Sequence, residues 1–256
     1  MKNITIRILT LIGVLLLLTG CTSGAPVPAP APSVTMPSET ACEPAPQIPA
    51  QPLRIACVGD SITYGYELSN REKTCYPAQL QELLGEPYLV VNFGVDGQTV
   101  QDHTFPSYRQ TREYDLSLEF QPDILIFMMG SNDTKPESWV SEETFQQELL
   151  EFLNSYCTEE FKPVIYLCTP AAAFYADDFG GGLTTYWIRP EIVGQIAKLI
   201  RRTAEEQGYF LIDIHALTAQ SPELFQPDGV HPNEAGAEAI AREVYRVLQE
   251  SQKSID

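Results

Sequence analysis

Short apolar runs alternate with longer amphipathic segments from residue 53 to the C-terminus. The apolar runs contain few polar residues, which is typical of parallel strands covered on both faces. Five runs are predicted to be strands: Leu53–Val58, Tyr88–Asn92, Ile124–Met129, Val164–Cys168 and Phe210–Ile214. Four amphipathic segments are predicted to be helices: Pro77–Leu84, Ser141–Tyr156, Pro190–Gln207 and Asn233–Gln252. This alternation predicts a three-layer α/β/α sandwich on a five-stranded parallel sheet, with a flavodoxin-like arrangement.

Residues 1–20 are predicted to be a signal peptide, separate from the folded domain. Lys2 and Arg7 accompany the apolar run Ile8–Leu18, which is shorter than the roughly 20 residues that a membrane-spanning helix needs. Leu18-Thr19-Gly20 then precedes Cys21, which resembles the lipobox of bacterial lipoproteins. The resemblance implies that Cys21 becomes a lipidated N-terminus, which would anchor the protein outside the cytoplasm on the bacterial membrane. The alternative is a plain secretory signal followed by an accidental cysteine.

Residues 21–52 are predicted to be a proline- and alanine-rich tether. Nine of the 20 prolines in the chain fall between Pro26 and Pro52, and such a segment cannot bury enough apolar surface to fold. Its length predicts a reach between roughly 30 Å as a coil and roughly 95 Å as extended polyproline. The folded domain is therefore predicted to span residues 53–256.

The chain is strongly acidic, with 16 Lys and Arg against 34 Asp and Glu and a net charge of −18. A nucleic-acid-binding protein normally carries a basic surface, so this class is excluded. The same negative field disfavours anionic substrates.

The cysteines do not form a recognisable metal site, and no metal or other cofactor is expected. Cys57 and Cys168 lie in predicted strands and are expected to be small buried apolar residues. If Cys21 is lipidated, five cysteines remain whose pairing the sequence leaves open: Cys42, Cys57, Cys75, Cys157 and Cys168.

Four polar blocks lie at the ends of predicted strands or just before the last helix. They are Gly59–Gly65, Asn92–Thr99, Gly130–Asp133 and Asp228–Pro232. Ligand sites of open α/β sheets lie beyond the carboxyl ends of the strands, where three of these blocks are predicted. In order and spacing the blocks resemble the SGNH (GDSL) esterase/lipase family, and the resemblance covers residues 53 to about 249.

A serine hydroxyl becomes a useful nucleophile when a positioned base takes its proton. Ser61 follows the first strand, and His231 with Asp228 three residues earlier can supply the base and the carboxylate that orients it. Asp213 and His215 are a rival pair, because alternate residues of a strand share one face. The family resemblance favours Ser61, Asp228 and His231 as the catalytic set. His103 lies in a polar stretch and is expected to be on the surface.

The resemblance also implies three donors for an oxyanion: the backbone N–H groups of Ser61 and Gly97 and the side-chain amide of Asn132. Gly94 competes with Gly97, and a tight turn is its alternative role. Asp60 and Asp133 are expected to bond to loop backbone instead of taking part in catalysis. The α/β-hydrolase elbow requires glycine where Thr63 stands, which disfavours that fold.

The sequence therefore predicts a serine esterase that works through an acyl-enzyme. Loop 169–189 is rich in aromatics and should border the site, and Tyr64, Tyr66 and Trp187 are candidate contacts to a sugar. Packing of these aromatics against the domain is the equal alternative. A carbohydrate O-acetyl esterase of the acetylxylan type is the leading hypothesis. A lysophospholipase or short-chain thioesterase and a non-catalytic surface glycan-binding protein are the alternatives.

Overall fold

The computed structural model describes residues 51–103, 107–175 and 185–253. The predicted signal peptide, the lipidation site Cys21, Cys42 and nearly all of the tether lie outside the described residues, as does the middle of loop 169–189.

The sheet consists of five parallel strands, which confirms the predicted fold class. The strands are β1 Leu53–Gly59, β2 Tyr88–Gly94, β3 Ile124–Met128, β4 Val164–Cys168 and β5 Phe210–Ile212. Their order in the sheet is β2-β1-β3-β4-β5. The chain therefore moves outward from β1 in both directions, and the carboxyl end of β1 is the switch point where α/β sheets place their ligands.

Helices connect the strands and flank the sheet. They are α1 Ser61–Tyr64, α2 Arg71–Thr74, α3 Tyr76–Leu84, α4 Arg112–Glu119, α5 Glu142–Ser155, α6 Pro190–Gln207, α7 Ile214–Thr218 and α8 Glu234–Gln252. Single 3₁₀ turns lie at Tyr108–Gln110, Asn132–Thr134 and Pro222–Leu224. Side chains cap the N-termini of α5 and α8, because Ser141 Oγ accepts from the backbone N–H of Thr144 and Asn233 Oδ1 accepts from that of Gly236.

Alternate residues of β1 serve two separate cores, one on each face of the sheet. Ile55 and Cys57 pack with residues of α3 and α8, whereas Ala56 and Val58 pack with residues of α5 and α6. The fully buried Cys57 confirms the expectation of a small apolar residue, and burial raises the pKa of its thiol. Cys168 is buried in the same core.

The described cysteines, Cys57, Cys75, Cys157 and Cys168, are all free thiols. Within the described ranges, no helix is long and apolar enough to cross a membrane.

Candidate active site

Ser61 stands at the first residue of α1, immediately beyond the end of β1. The preceding Asp60 caps this short helix by accepting from the backbone N–H of Ile62 at 3.0 Å. At the other end, Gly65 adopts φ +91°, and its N–H bonds to the carbonyl of Ser61 at 2.9 Å. These local bonds fix the backbone that carries the Ser61 hydroxyl.

The predicted catalytic set is brought together by the loop before α8. His231 Nε2 lies 2.9 Å from Ser61 Oγ, and His231 Nδ1 lies 2.6 Å from Asp228 Oδ2. This is the geometry in which a carboxylate orients an imidazole and the imidazole accepts a hydroxyl proton. Ser61 is 7% exposed and His231 is 6% exposed, so each meets solvent through a narrow opening.

The second oxygen of Asp228 anchors its own loop. Oδ1 accepts from the backbone N–H of Val230 at 2.9 Å and of His231 at 3.0 Å. Burial favours the neutral carboxyl, but the hydrogen bonds outweigh it and hold the pKa of Asp228 below its ordinary value. Gly229 turns the loop at φ +72°, where a Cβ would come within 2.4 Å of the Phe174 carbonyl. The Asp-Gly-Val-His sequence thus builds both the tight loop and the ionised partner of His231.

The predicted oxyanion donors surround the same cavity. Ser61, Gly97 and Asn132 all line it. Gly97 adopts φ +75°, which a side chain would strain. Asn132 Nδ2 donates to the Gln98 carbonyl at 3.1 Å, and the second hydrogen of its amide remains for a ligand. The bond to Gln98 fixes the Asn132 amide relative to the loop that carries Gly97.

Two buried carboxyls hold these loops in place, as predicted for Asp60 and Asp133. Asp133 accepts from the backbone N–H groups of Val100 at 3.1 Å and Gln101 at 3.0 Å, which ties the loop after β3 to the loop after β2. Burial raises the pKa of Asp133 to about 7 and that of Asp60 to about 6. Neither lines the cavity, which agrees with the predicted role in the scaffold.

Gly94 has a packing role and does not replace Gly97. A Cβ on Gly94 would lie 2.2 Å from the backbone nitrogen of Tyr64, so only glycine lets the end of β2 approach α1 this closely. The expectation of a tight turn at this position gives way to a close backbone contact, because Gly94 is the last residue of β2.

The rival pair Asp213 and His215 is not part of the site. The strand ends at Ile212, so strand alternation does not apply to these two residues. Asp213 instead caps α7 and forms bonds of 2.7 and 2.8 Å with Arg201. The other rival, His103, contacts Glu148 at 2.9 Å and lies near the surface, as expected.

The three aromatic candidates differ in position. Tyr66 lines the cavity. Tyr64 does not, because its ring lies against the guanidinium of Arg71, 4.1 Å from the ring centroid. Trp187 is 60% exposed at φ +57° and is also absent from the lining. Its neighbour Tyr186 lines the cavity in its place, from a turn that leaves Trp187 in the left-handed backbone conformation.

Sequence reasoning also missed two charged residues of the lining, Asp96 and Lys135. Partial burial of the Asp96 carboxyl raises its pKa, although the nearby His231 and Arg71 oppose the shift. Burial lowers the pKa of Lys135, against the opposing influence of nearby carboxyls. Asp96 adjoins Gly97 and Lys135 follows Asn132 by three positions, but no pattern in the sequence distinguishes either from an ordinary surface residue.

The cavity has a volume of about 200 Å³. Its lining consists of Ser61, Tyr66, Asp96, Gly97, Ser131, Asn132, Lys135, Tyr186, Ile188, Val230 and His231. Within the part of the chain that the structure describes, no group of three or more His, Cys, Asp or Glu side chains is arranged to hold a metal ion. The arrangement is a serine hydroxyl bonded to an oriented imidazole, with the predicted oxyanion donors around the same small pocket.

Comparison with known proteins agrees with this geometry. Residues 57–239 match the GDSL-like Lipase/Acylhydrolase family. The chain belongs to this family. The match contains every residue of the catalytic set and of the predicted oxyanion donors.

A similar curated protein is an acetylxylan esterase of Xylanibacter ruminicola, 32% identical over 207 residues. The alignment covers 74% of this GDSL-like chain but 42% of the relative, so the chain spans less than half of that protein's length.

Solved structures of this fold include the aryl esterase of M. smegmatis, with a TM-score of 0.64 and 16% identity, covering 77% of this chain and 98% of that one. A carbohydrate acetylesterase family member from Sinorhizobium meliloti has a TM-score of 0.60 and 22% identity, covering 77% and 97%. At these identities the two structures establish a shared fold.

Proposed function

We propose that this protein is a serine esterase that removes acetyl groups from carbohydrates. The observation that carries the proposal is the continuous hydrogen-bonded series Asp228–His231–Ser61 opening on a cavity of about 200 Å³. A nucleophile, an oriented base and adjacent amide donors are the components that acyl transfer requires.

The geometry supports a two-step reaction. Ser61 Oγ attacks the ester carbonyl carbon while His231 Nε2 takes the hydroxyl proton. The tetrahedral oxyanion is held by the donors at Ser61, Gly97 and Asn132, each worth roughly 2.7–4 kcal/mol in the transition state. The C–O bond to the alcohol breaks, and His231 returns the proton to the departing alkoxide. Water then attacks the acyl-enzyme, with His231 again as the base, to release the acid and restore Ser61.

The acetylated carbohydrate is supported by three observations. The relative from Xylanibacter ruminicola is named an acetylxylan esterase. The cavity of about 200 Å³ is smaller than the roughly 300–1,000 Å³ of pockets for drug-sized ligands, which favours a short acyl group. The net charge of −18 opposes an anionic substrate such as an acidic phospholipid. This last point favours a neutral carbohydrate over an acidic lysophospholipid, while zwitterionic lysophospholipids and short-chain thioesters remain the competing substrates.

A chain-length series tests this proposal. We expect kcat/KM to be highest for p-nitrophenyl acetate and to fall steeply from butyrate to octanoate, because the small cavity favours the shorter acyl group. Acetylated xylan should release acetate, and an acetyl thioester of equal acyl length is the control for the thioesterase alternative. Faster hydrolysis of octanoate or lysophospholipid would contradict an acetyl esterase, and binding of glycan without any ester turnover would favour the glycan-binding alternative.

We further propose that the esterase is secreted and held on the bacterial membrane by a lipid at Cys21. The proposal is supported by the signal-like residues 1–20, the lipobox-like residues before Cys21 and the proline-rich tether. We expect Cys21→Ser to move the esterase from the membrane fraction to the soluble secreted fraction and to abolish labelling by radioactive palmitate. Equal membrane association of the variant and the wild type would contradict lipidation.

A further inference from the structure

The imidazole of His231 identifies the side of the cavity where the alcohol half of the ester must lie. In the proposed mechanism, Nε2 receives the Ser61 proton and gives it to the departing alcohol oxygen. That oxygen must therefore come within hydrogen-bond distance of Nε2. Side chains that both contact the imidazole and line the cavity consequently border the alcohol.

Two tyrosines meet both conditions. The Tyr66 ring centroid lies 4.6 Å from that of His231, and the Tyr186 ring centroid lies 5.1 Å from it. The two phenol rings are 6.3 Å apart with an interplanar angle of 89°, so they form two perpendicular walls beside the base. Each wall has an apolar face and a hydroxyl at its end. The two rings therefore form an aromatic corner, which suits a ligand that has both apolar and hydroxylated surfaces.

The backbone of Tyr66 is fixed by the elements that carry the catalytic set. Its N–H donates to the Ser61 carbonyl at 3.0 Å, and its carbonyl accepts from Gln226 Nε2 at 2.9 Å. Gln226 belongs to the loop that continues into Asp228 and His231. Tyr186 packs against the buried cluster of Ile188, Val193 and Val230. The corner is therefore built into the site before a substrate arrives.

Asp96 adds a carboxylate to the same cavity. Among the residues that the structure describes, no basic side chain forms an ion pair with it. An ionised carboxylate can only accept hydrogen bonds, and its two oxygens can receive several. Within the cavity, the Asp96 carboxylate therefore favours a ligand with more than one hydrogen-bond donor, such as a sugar with several hydroxyl groups.

We propose that Tyr66, Tyr186 and Asp96 form the subsite for the alcohol half of the substrate, and that this subsite takes a neutral sugar ring with free hydroxyls. The inference rests on the proposed esterase function. The C–H faces of a pyranose pack on the phenol rings, and its hydroxyls donate to Asp96. A phosphorylated alcohol would place a second anion beside Asp96.

The test compares two acetyl esters that differ in the alcohol alone. The measured quantity is the ratio of kcat/KM for a mono-O-acetylated xylo-oligosaccharide to kcat/KM for p-nitrophenyl acetate, which lacks sugar hydroxyls. We expect Asp96→Leu to lower this ratio by about 10- to 100-fold, the range for hydrogen bonds to a charged group. Asp96→Asn, which keeps one acceptor, should have an intermediate effect. Tyr66→Leu and Tyr186→Leu should lower the ratio as well.

Matched control variants separate an effect on the alcohol subsite from the general effect of losing a charge or an aromatic ring. Asp115→Asn removes the same charge from an exposed position on α4, and Trp187→Leu removes the exposed aromatic next to Tyr186. Both should keep the wild-type ratio. As a second measurement on the wild type, free xylobiose should inhibit hydrolysis of p-nitrophenyl acetate competitively.

The outcomes distinguish the two proposals. An Asp96→Leu ratio equal to that of Asp115→Asn, or absence of inhibition by xylobiose, would overturn the sugar subsite even if the enzyme hydrolyses p-nitrophenyl acetate. If the wild type hydrolyses neither ester, the proposed esterase function itself fails.

Discussion

Ser61→Ala is expected to lower kcat for ester hydrolysis by roughly six orders of magnitude, to the level left by the oxyanion donors and substrate binding. The expectation follows from the 2.9 Å contact between Ser61 Oγ and His231 Nε2, since alanine leaves the base without a nucleophile to activate. The variant should also lose covalent labelling by a fluorophosphonate, whereas substrate affinity should change little. The measurement is single-turnover hydrolysis of p-nitrophenyl acetate together with mass spectrometry of the labelled protein.

Ser131 provides the control, because it lines the same cavity and is 5% exposed but has no contact with His231 among the described hydrogen bonds. Ser131→Ala should still be labelled at Ser61. Labelling that persists in Ser61→Ala and disappears in Ser131→Ala would show that Ser131 is the nucleophile and that the assignment to Ser61 is wrong.

The centre of the sheet could be predicted from the sequence because most residues of β1, β3 and β4 are buried on both faces. Runs such as Ile124–Met128 and Val164–Cys168 have no room for polar residues, and this makes them recognisable without knowledge of their neighbours. The short helices α1 and α7 could not be predicted, because one turn of helix is too short for an amphipathic pattern. The end of β5 was misplaced for the same reason, since Asp213 starts a helix within an apolar stretch.

The proximity of Ser61, Asp228 and His231 could be predicted because their geometry is mostly local. Asp228 and His231 lie in one turn of four residues, and Ser61 follows a strand end at the switch point of the sheet. The walls of the cavity depend on contacts between distant loops. Tyr186 reaches His231 only after the chain has folded, and the neighbouring Trp187 has the same sequence signal but points away. Sequence reasoning therefore indicated the correct segment and the wrong side chain.

The sheet register explains why residues far apart in sequence meet at one place. Gly59 of β1 pairs with Gly94 of β2 and with Met128 of β3, so the loops after these three strands start from the same edge. Asp133 then joins two of these loops through its bonds to Val100 and Gln101. The predicted oxyanion donors at Gly97 and Asn132 consequently lie on loops joined by a buried carboxyl that does not line the cavity.

His231→Ala is expected to have the second large effect, and its size should depend on the leaving group. For an acetylated sugar, the variant loses both the base for Ser61 and the acid for the departing alkoxide, so kcat/KM should fall by roughly 10⁶. For p-nitrophenyl acetate the phenolate leaves without a proton, and the loss should be smaller by the contribution of general acid catalysis, roughly 10²–10⁴. The measurement is kcat/KM for both esters in the same variant, because kcat/KM reports the acylation step and the two esters share one acetyl-enzyme.

His215 is the matched control for this prediction, because it competes with His231 in the sequence but lies on α7 away from the cavity. His215→Ala should retain the wild-type kcat/KM for both esters, since Asp213 is bonded to Arg201 and does not orient His215 as a base. Equal losses for the two esters in His231→Ala would show that His231 acts on Ser61 alone. The sugar alcohol would then receive its proton from another group, and the assignment of the alcohol side of the cavity to Tyr66, Tyr186 and Asp96 would lose its basis.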